Sequence, residues 1–425
     1  MYIPEHLTEI FTFENLLKAF RSSASNHRHK EDVQEFLNHL YLNIRRIEKT
    51  FKKGEYPEIT YHSFVVTEPK LRVVWATSFE IRVIQHCFCD VFLTPFFEQI
   101  YVPRNCACRK DKGTDYAANC LKADLKYYYR ENGDSNLGYV LKADIHHYFQ
   151  SIDHDILKCM LHPILPDGEV KDFLFYIIDS FDKGGLPLGN QTSQLLALYY
   201  LHPVDILIQN KYGVMFDYGA LFSRYMDDFA LIAEDKQTLI DAYRDIDFIL
   251  RNALNLCFND KTSIHPLKNG IGFLGWNYYL LKTGRVLKKR KKDAKDRAKK
   301  KVKLAIYLYE ENIIDARSYG NRITSVLATL KKGNAGAFER SLIRMQYSYS
   351  DKLRKKDSIT ARIDGGVSNP EYFTVISNKP LEVQQASRPK TNEETVNQYK
   401  NVETPSKEPD KLESSSEQNE TESQQ

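Results

Sequence analysis

A chain of 425 residues, 42% of them hydrophobic, suits two or three domains and is long enough to bury a sizeable core, which excludes a wholly disordered protein. Lys plus Arg number 60 against 56 Asp plus Glu, so the net charge of +4 is nearly neutral and the asymmetry along the chain matters more than the sum. Seven cysteines, an odd number with no secretion signal ahead of them, point to a reducing cytoplasm, and the most apolar stretch, 195–208, is broken by His202, Pro203 and Asp205, which argues against a membrane span.

Residues 1–55 place Val33, Phe36, Leu37, Leu40, Ile44 and Ile47 at helical spacing and end in a Lys-Lys-Gly turn, predicting an N-terminal helical segment. β-branched and aromatic residues from Tyr61 to Ala76 predict a hairpin, and a helix is expected from Ser78 to Phe97. The close pairs Cys87/Cys89 and Cys106/Cys108 have CxC spacing with no HxxxH-type partner, so they read as buried small side chains rather than zinc ligands. Segment 138–145, GYVLKADI, is a short apolar run ending in an acid and predicts a buried strand that delivers Asp144. Helices are expected over 154–180 and 191–211, parted by Gly184, Gly185, Pro187 and Gly189. The strand pair 221–233, LFSRYMDDFALIA, then sets Asp227 and Asp228 in the middle of apolar β sequence. A helix over 236–256 and a strand over 271–281 follow, and helices alternate with hairpins irregularly enough to predict the α+β class rather than a doubly wound parallel sheet.

From Lys282 to Lys303 there are 13 Lys or Arg against 2 Asp, followed by 302–345, helical and apolar on one face. A single-sign run of this kind is expected to contact nucleic-acid phosphates, giving binding that weakens steeply with salt. The last 25 residues hold 7 acids and 2 Lys with no aromatic residue, so 386–425 is expected to be a disordered acidic tail and 346–385 an extension of uncertain structure.

Adjacent aspartates inside an apolar strand-turn-strand repel each other and carry a heavy desolvation penalty unless a cation or protonation neutralises them. A solvated turn is the ordinary explanation for a lone Asp-Asp pair. With Asp144 from a neighbouring strand, however, an oxygen-only set arises that favours Mg²⁺ over zinc, with Mn²⁺ as the alternative, and suits a two-ion site to which the Ile145 carbonyl adds an oxygen.

These landmarks occur in an order that resembles bacterial reverse transcriptases over residues 12–345. Asp144 to Ile152, DIHHYFQSI, is similar to the first catalytic block of the palm, and Tyr225-Met226-Asp227-Asp228 to the second, 83 residues later. The resemblance implies a right-hand polymerase with fingers and an antiparallel palm sheet over 56–281 and a basic helical thumb over 282–345. It implies catalysis by Asp144, Asp227 and Asp228 on two Mg²⁺, RNA template and RNA/DNA duplex as partners, and dNTPs as substrates. Lys70 and Arg72 match the strand that grips the triphosphate, with exposed strand cations as the bland alternative; Arg109 and Lys110 match a second fingers block touching template or triphosphate. Phe149 falls where a bulky side chain excludes the ribose 2′-hydroxyl, unless it is an ordinary core aromatic, and disfavours an RNA-making polymerase. GLPLGNQTSQ, 185–194, resembles the loop and helix start beneath the nascent base pair, with Gly189, Ser193 and Gln194 against template and primer. Lys261 matches a later palm lysine able to protonate pyrophosphate, or is an exposed turn lysine. Phe273-Leu274-Gly275-Trp276 resembles the primer grip, with Gly275 and Trp276 against the primer, although Trp276 also suits a plain core anchor. Lys288, Lys289 and Arg290 begin the stretch expected along the duplex.

Within the family, Leu188-Gly189-Asn190-Gln191-Thr192-Ser193-Gln194 has the LGxxxSQ form rather than the common QGxxxSP, which is similar to the error-prone enzymes of diversity-generating retroelements. That resemblance implies a template-repeat RNA and a small basic accessory protein as partners. The C-terminal extension departs from that pattern and keeps open an antiphage-defence or other retron or group II-like enzyme. A non-catalytic RNA-binding scaffold or a toxin-like module are the readings from other classes, and retention of all three acids speaks against a relic.

Overall fold

The computed structural model describes residues 3–67, 70–213 and 221–347, so the expectations for the acidic tail and for the extension from 348 onward lie outside the described residues. Four helices open the chain: α1 (Leu7–Ile10), α2 (Phe13–Ala24), α3 (Glu31–Asn38) and α4 (Leu40–Lys52). Their apolar stripes, such as Leu16, Ala19 and Phe20 or Ile44, Ile47 and Phe51, are buried at the three- and four-residue spacing of an amphipathic helix. The hairpin of β1 (Tyr61–Val66) and β2 (Arg72–Thr77) is antiparallel, pairing Tyr61 with Thr77. The single helix expected over 78–97 is α5 (Phe79–Phe88), a π-helical turn at Cys89–Leu93 and α6 (Thr94–Glu98). Pro95 lacks the N–H that would continue the regular ladder, which accounts for the widened turn just before it. An additional helix that periodicity did not single out, α7 (Thr114–Glu131), precedes β3 (Tyr139–Ala143).

Next come α8 (His154–Leu161), α9 (Glu169–Asp179), α10 (Gln191–Tyr200), α11 (His202–Leu207), β4 (Phe222–Tyr225), β5 (Asp228–Ala233), α12 (Lys236–Ala253) and β6 (Ser263–Pro266). The strands make one four-stranded antiparallel sheet in the order β4-β5-β3-β6. Successive side chains enter opposite cores. Leu141, Phe229, Leu231 and Ala233 join the large cluster formed with the helices, while Val140, Ala230 and Ile232 join a second cluster with α7 and the later strands. Both faces of the sheet are covered, so its strands read as continuous apolar runs without alternation.

The strand expected over 271–281 is a hairpin, β7 (Ile271–Phe273) and β8 (Trp276–Leu280), joined by β9 (Val286–Arg290) into a three-stranded sheet. Leu274 and Gly275 both have positive φ, as a tight two-residue hairpin turn requires. The basic run expected to open a helical thumb at 282 therefore starts as a strand, because pairing with β8 satisfies its backbone. Only at α13 (Lys292–Glu310) does it turn helical, packing with α14 (Ala316–Leu330) and the helical residues 336–347 around Val302, Ile306, Leu330 and Leu342. No helix among the described residues is long and apolar enough to cross a membrane.

Candidate active site

Two residues, Met226 and Asp227, connect β4 to β5, with Tyr225 paired to Asp228 across the turn. On the neighbouring strand Ala143 pairs with Phe229, so one further step sets Asp144 opposite Asp228, and partners in such a ladder stand about 4.5–5.5 Å apart at Cα. The backbone of Asp144 is held from its other side: its carbonyl accepts from the Asn259 N–H at 2.8 Å, and its N–H donates to Thr262 Oγ1 at 3.2 Å. Ile145 bridges to Phe258 and is buried.

Burial pushes the Asp227 carboxyl up to about 6, and the negative charges of Asp144 and Asp228 add to it, while Arg72 opposes them. Asp228 is also raised, first by burial, against the pull of the Lys142 ammonium that hydrogen-bonds it. Lys142 pairs with Ala230, two residues along β5 from Asp228, so strand periodicity sets both side chains on one face of the sheet. Buried carboxyls raised in this way, with a further carboxylate beside them, favour a bound cation. Their oxygen-only chemistry suits Mg²⁺ or Mn²⁺. Among the described residues no three Asp, Glu, His or Cys side chains are gathered into a ready-made cage. The residues thus fit a divalent ion by charge and donor type, with Lys142 as its internal competitor.

Several expected residues come to the same place. Arg72 opens β2 and its charge is felt at Asp227, while Lys291 feels both Lys70 and Asp228. The 185–194 loop docks on β2, where the Trp75 N–H donates to the Leu188 carbonyl at 3.0 Å. A Cβ on Gly189, at φ +125°, would lie 3.1 Å from the Trp75 carbonyl, and one on Gly185 only 2.3 Å from the Phe149 carbonyl, so both close approaches need glycine. Tyr148, whose hydroxyl donates to the Ala197 carbonyl, is the core aromatic of its pair; Phe149 stays partly exposed beside it. Lys261 is exposed on the turn whose Asn259 and Thr262 hold Asp144, and Gly275 is exposed at the β7–β8 turn. Gln194 is half-buried, and Lys110 and Lys289 are exposed.

Four of the expected residues, Arg109, Ser193, Lys288 and Trp276, are buried. Arg109 is buried, with its guanidinium donating to both carboxylate oxygens of Glu98 at 2.8 and 2.7 Å and to the carbonyls of Val102 and Asn105, so it anchors its own loop and has little left for a nucleotide. Ser193 and its neighbour Thr192 are 3% and 1% exposed. Lys288 is 4% exposed, its ammonium 4.6 Å from the Trp276 ring centroid, and Arg290 lies over the same ring at 4.7 Å. Trp276 itself is 5% exposed and packs in the core of its sheet next to the Gly275 turn. Sequence reasoning missed Lys142, Asn259 and Thr262. Only Lys142 left a signal, a cation two residues before Asp144 on a strand whose period is two.

Residues 67–278 match the family model for reverse transcriptase (RNA-dependent DNA polymerase). No curated protein matches the chain. Among solved structures it is similar to apo telomerase from Candida tropicalis truncated from the C-terminal domain, at 15% identity over 54% of each chain with a TM-score of 0.41. It is also similar to telomerase from Candida albicans in complex with a TWJ fragment of telomeric RNA, at 13% identity over 68% of this chain and 55% of that one, TM-score 0.42. The chain spans about half the length of these telomerase chains. Asp144, the Asp227–Asp228 hairpin and the 185–194 loop all lie within residues 67–278, the stretch that matches the reverse transcriptase (RNA-dependent DNA polymerase) family.

Proposed function

We propose that the chain is an RNA-directed DNA polymerase, a nucleotidyltransferase, with Asp144, Asp227 and Asp228 as its catalytic carboxylates, and that it makes cDNA as the error-prone enzyme of a diversity-generating retroelement. The observation that carries the catalytic reading is the strand register that sets Asp144 opposite Asp228, beside Asp227 on the β4–β5 turn, with the Asp227 and Asp228 carboxyls both raised, chiefly by burial. When bound, a pair of Mg²⁺ ions supplies Lewis-acid charge to the primer hydroxyl and the leaving pyrophosphate. The chain's own residues bind and orient. Lys70 and Arg72 meet triphosphate oxygens, Phe149 stands against the sugar 2′-position, and Lys261 offers a proton to pyrophosphate. The 185–194 loop supports the templating pair. Exposed Lys289, Lys292, Lys300 and Lys303 track duplex phosphates.

The retroelement assignment is supported by the Leu188 to Gln194 loop, and brings with it a template-repeat RNA and a small basic accessory protein as partners. Primer extension on an RNA template with dNTPs and Mg²⁺ is expected with the wild type and lost in Asp144→Asn and Asp227→Asn. Undiminished activity in either variant would remove the catalytic reading. The double change Leu188→Gln with Gln194→Pro is expected to reduce misincorporation at template adenines. An unchanged error spectrum would instead favour an antiphage-defence enzyme of related ancestry, a reading the C-terminal extension already suits.

A further inference from the structure

Beneath the hairpin lies a charge pair with no part in the reading so far. Arg224 and Asp205 are both 0% exposed. Arg224 Nε donates to Asp205 Oδ1 at 2.7 Å, and Nη2 donates to the other carboxylate oxygen and to the Leu198 carbonyl at 3.0 Å. Nη1 reaches the turn itself, donating to the Met226 carbonyl at 2.8 Å. The main chain of the same residue donates to the Arg104 carbonyl at 3.1 Å and accepts from the Cys106 N–H at 2.9 Å. One residue thereby joins α10, α11, the 104–106 segment and the β4–β5 turn.

Stability alone is a weak reason for such a pair, because well-packed apolar side chains of similar volume often serve as well or better. The turn offers another reason. Met226 has φ +58°, a left-handed conformation that is unfavourable for a non-glycine residue and persists only where the surroundings over-determine it. The carbonyl of the peptide between Met226 and Asp227 is held by Arg224.

We propose that Arg224, oriented by Asp205, is the positioning residue for Asp227: its guanidinium fixes the Met226–Asp227 peptide and so the direction in which the carboxylate leaves the turn. This rests on the catalytic role of Asp227 proposed above. The test uses the full chain in two forms, Arg224→Lys and Arg224→Met combined with Asp205→Leu, measured by thermal unfolding, steady-state primer extension and Mn²⁺ binding by electron paramagnetic resonance. The apolar double variant should unfold near the wild-type temperature, yet lose about tenfold to a hundredfold in kcat with KM for dNTP nearly unchanged, since a misplacement of about 1 Å costs on that scale. Mn²⁺ should bind it several-fold more weakly. Arg224→Lys, which keeps the charge but cannot span the same partners, should show the same split.

Either variant folded with wild-type kcat and Mn²⁺ affinity would overturn the proposal, and failure of both to fold would make Arg224 a stability residue instead. An active wild type, an inactive Asp227→Asn and undiminished Arg224 variants would remove this inference alone. Full activity in Asp227→Asn would remove the catalytic reading and this with it.

Discussion

Replacing Asp227 by Asn should abolish synthesis and at the same time stabilise the metal-free fold. The Asp227 carboxyl titrates near 6 rather than its ordinary 3.8, chiefly because it is buried and next because Asp144 stands near it. Below pH ~4 the group is neutral in the folded and unfolded chain alike. Between pH ~4 and ~6 the unfolded chain releases its proton while the folded chain keeps it, so stability falls as pH rises, and above ~6 the whole penalty is present. The displacement corresponds to about 3 kcal/mol at full burial, and solvent reaching a half-buried side chain reduces this to about 1–2 kcal/mol. Asparagine carries no charge to bury. Asp227→Asn should therefore unfold about 2–4 °C above the wild type at pH 7.5 and at nearly the same temperature at pH 4. Scanning fluorimetry across this range without divalent ions is the assay. Excess Mg²⁺ should raise the wild type and leave the variant unmoved, closing the gap. A variant less stable than the wild type at pH 7.5, or a gap that does not widen between pH 4 and 6, would refute the reasoning.

Lys142→Met strips Asp228 of its ammonium partner, which should raise that carboxyl further and cost about 1–2 kcal/mol at pH 8, with the loss shrinking as pH falls or Mg²⁺ is added; denaturant titrations across a pH series measure it. Gly185→Ala should lower stability by about 2–4 kcal/mol, since its Cβ would stand 2.3 Å from one backbone atom and 2.5 Å from another, whereas Gly184→Ala, with open space around it, should cost only about 1–2 kcal/mol through its positive φ; urea midpoints distinguish the two. The neighbouring Cys106 thiol, helped by the charge of Arg104, lowers the Cys120 thiol to about 6, while burial raises those of Cys87 and Cys89. Brief iodoacetamide treatment at pH 7 followed by peptide mass spectrometry should find Cys120 alkylated well before either of them, and equal labelling would contradict this.

The three aspartates were legible because each violates a local rule: a carboxylate inside apolar strand sequence needs a counter-charge wherever the strand ends up. Spacing likewise announced the hairpin of 61–76, the strand ending at Asp144 and the glycine-rich loop of 185–194, since strand period and turn chemistry are properties of neighbours in sequence. Which cation faces outward is not such a property. Arg109, Lys288 and Lys289 look alike in the sequence, yet Glu98 and two carbonyls take the first, the Trp276 ring covers the second and only the third meets solvent. Arg224 breaks the same rule as the aspartates yet was not singled out from the sequence; that its partner is Asp205, 19 residues earlier, exists only once α11 packs under β4. The same holds for Lys142, whose hold on Asp228 follows from the register of β3 against β5. Local chemistry thus determined which residues needed neutralising, and long-range packing alone decided what neutralises them, because burial and pairing between distant segments are set by the fold as a whole.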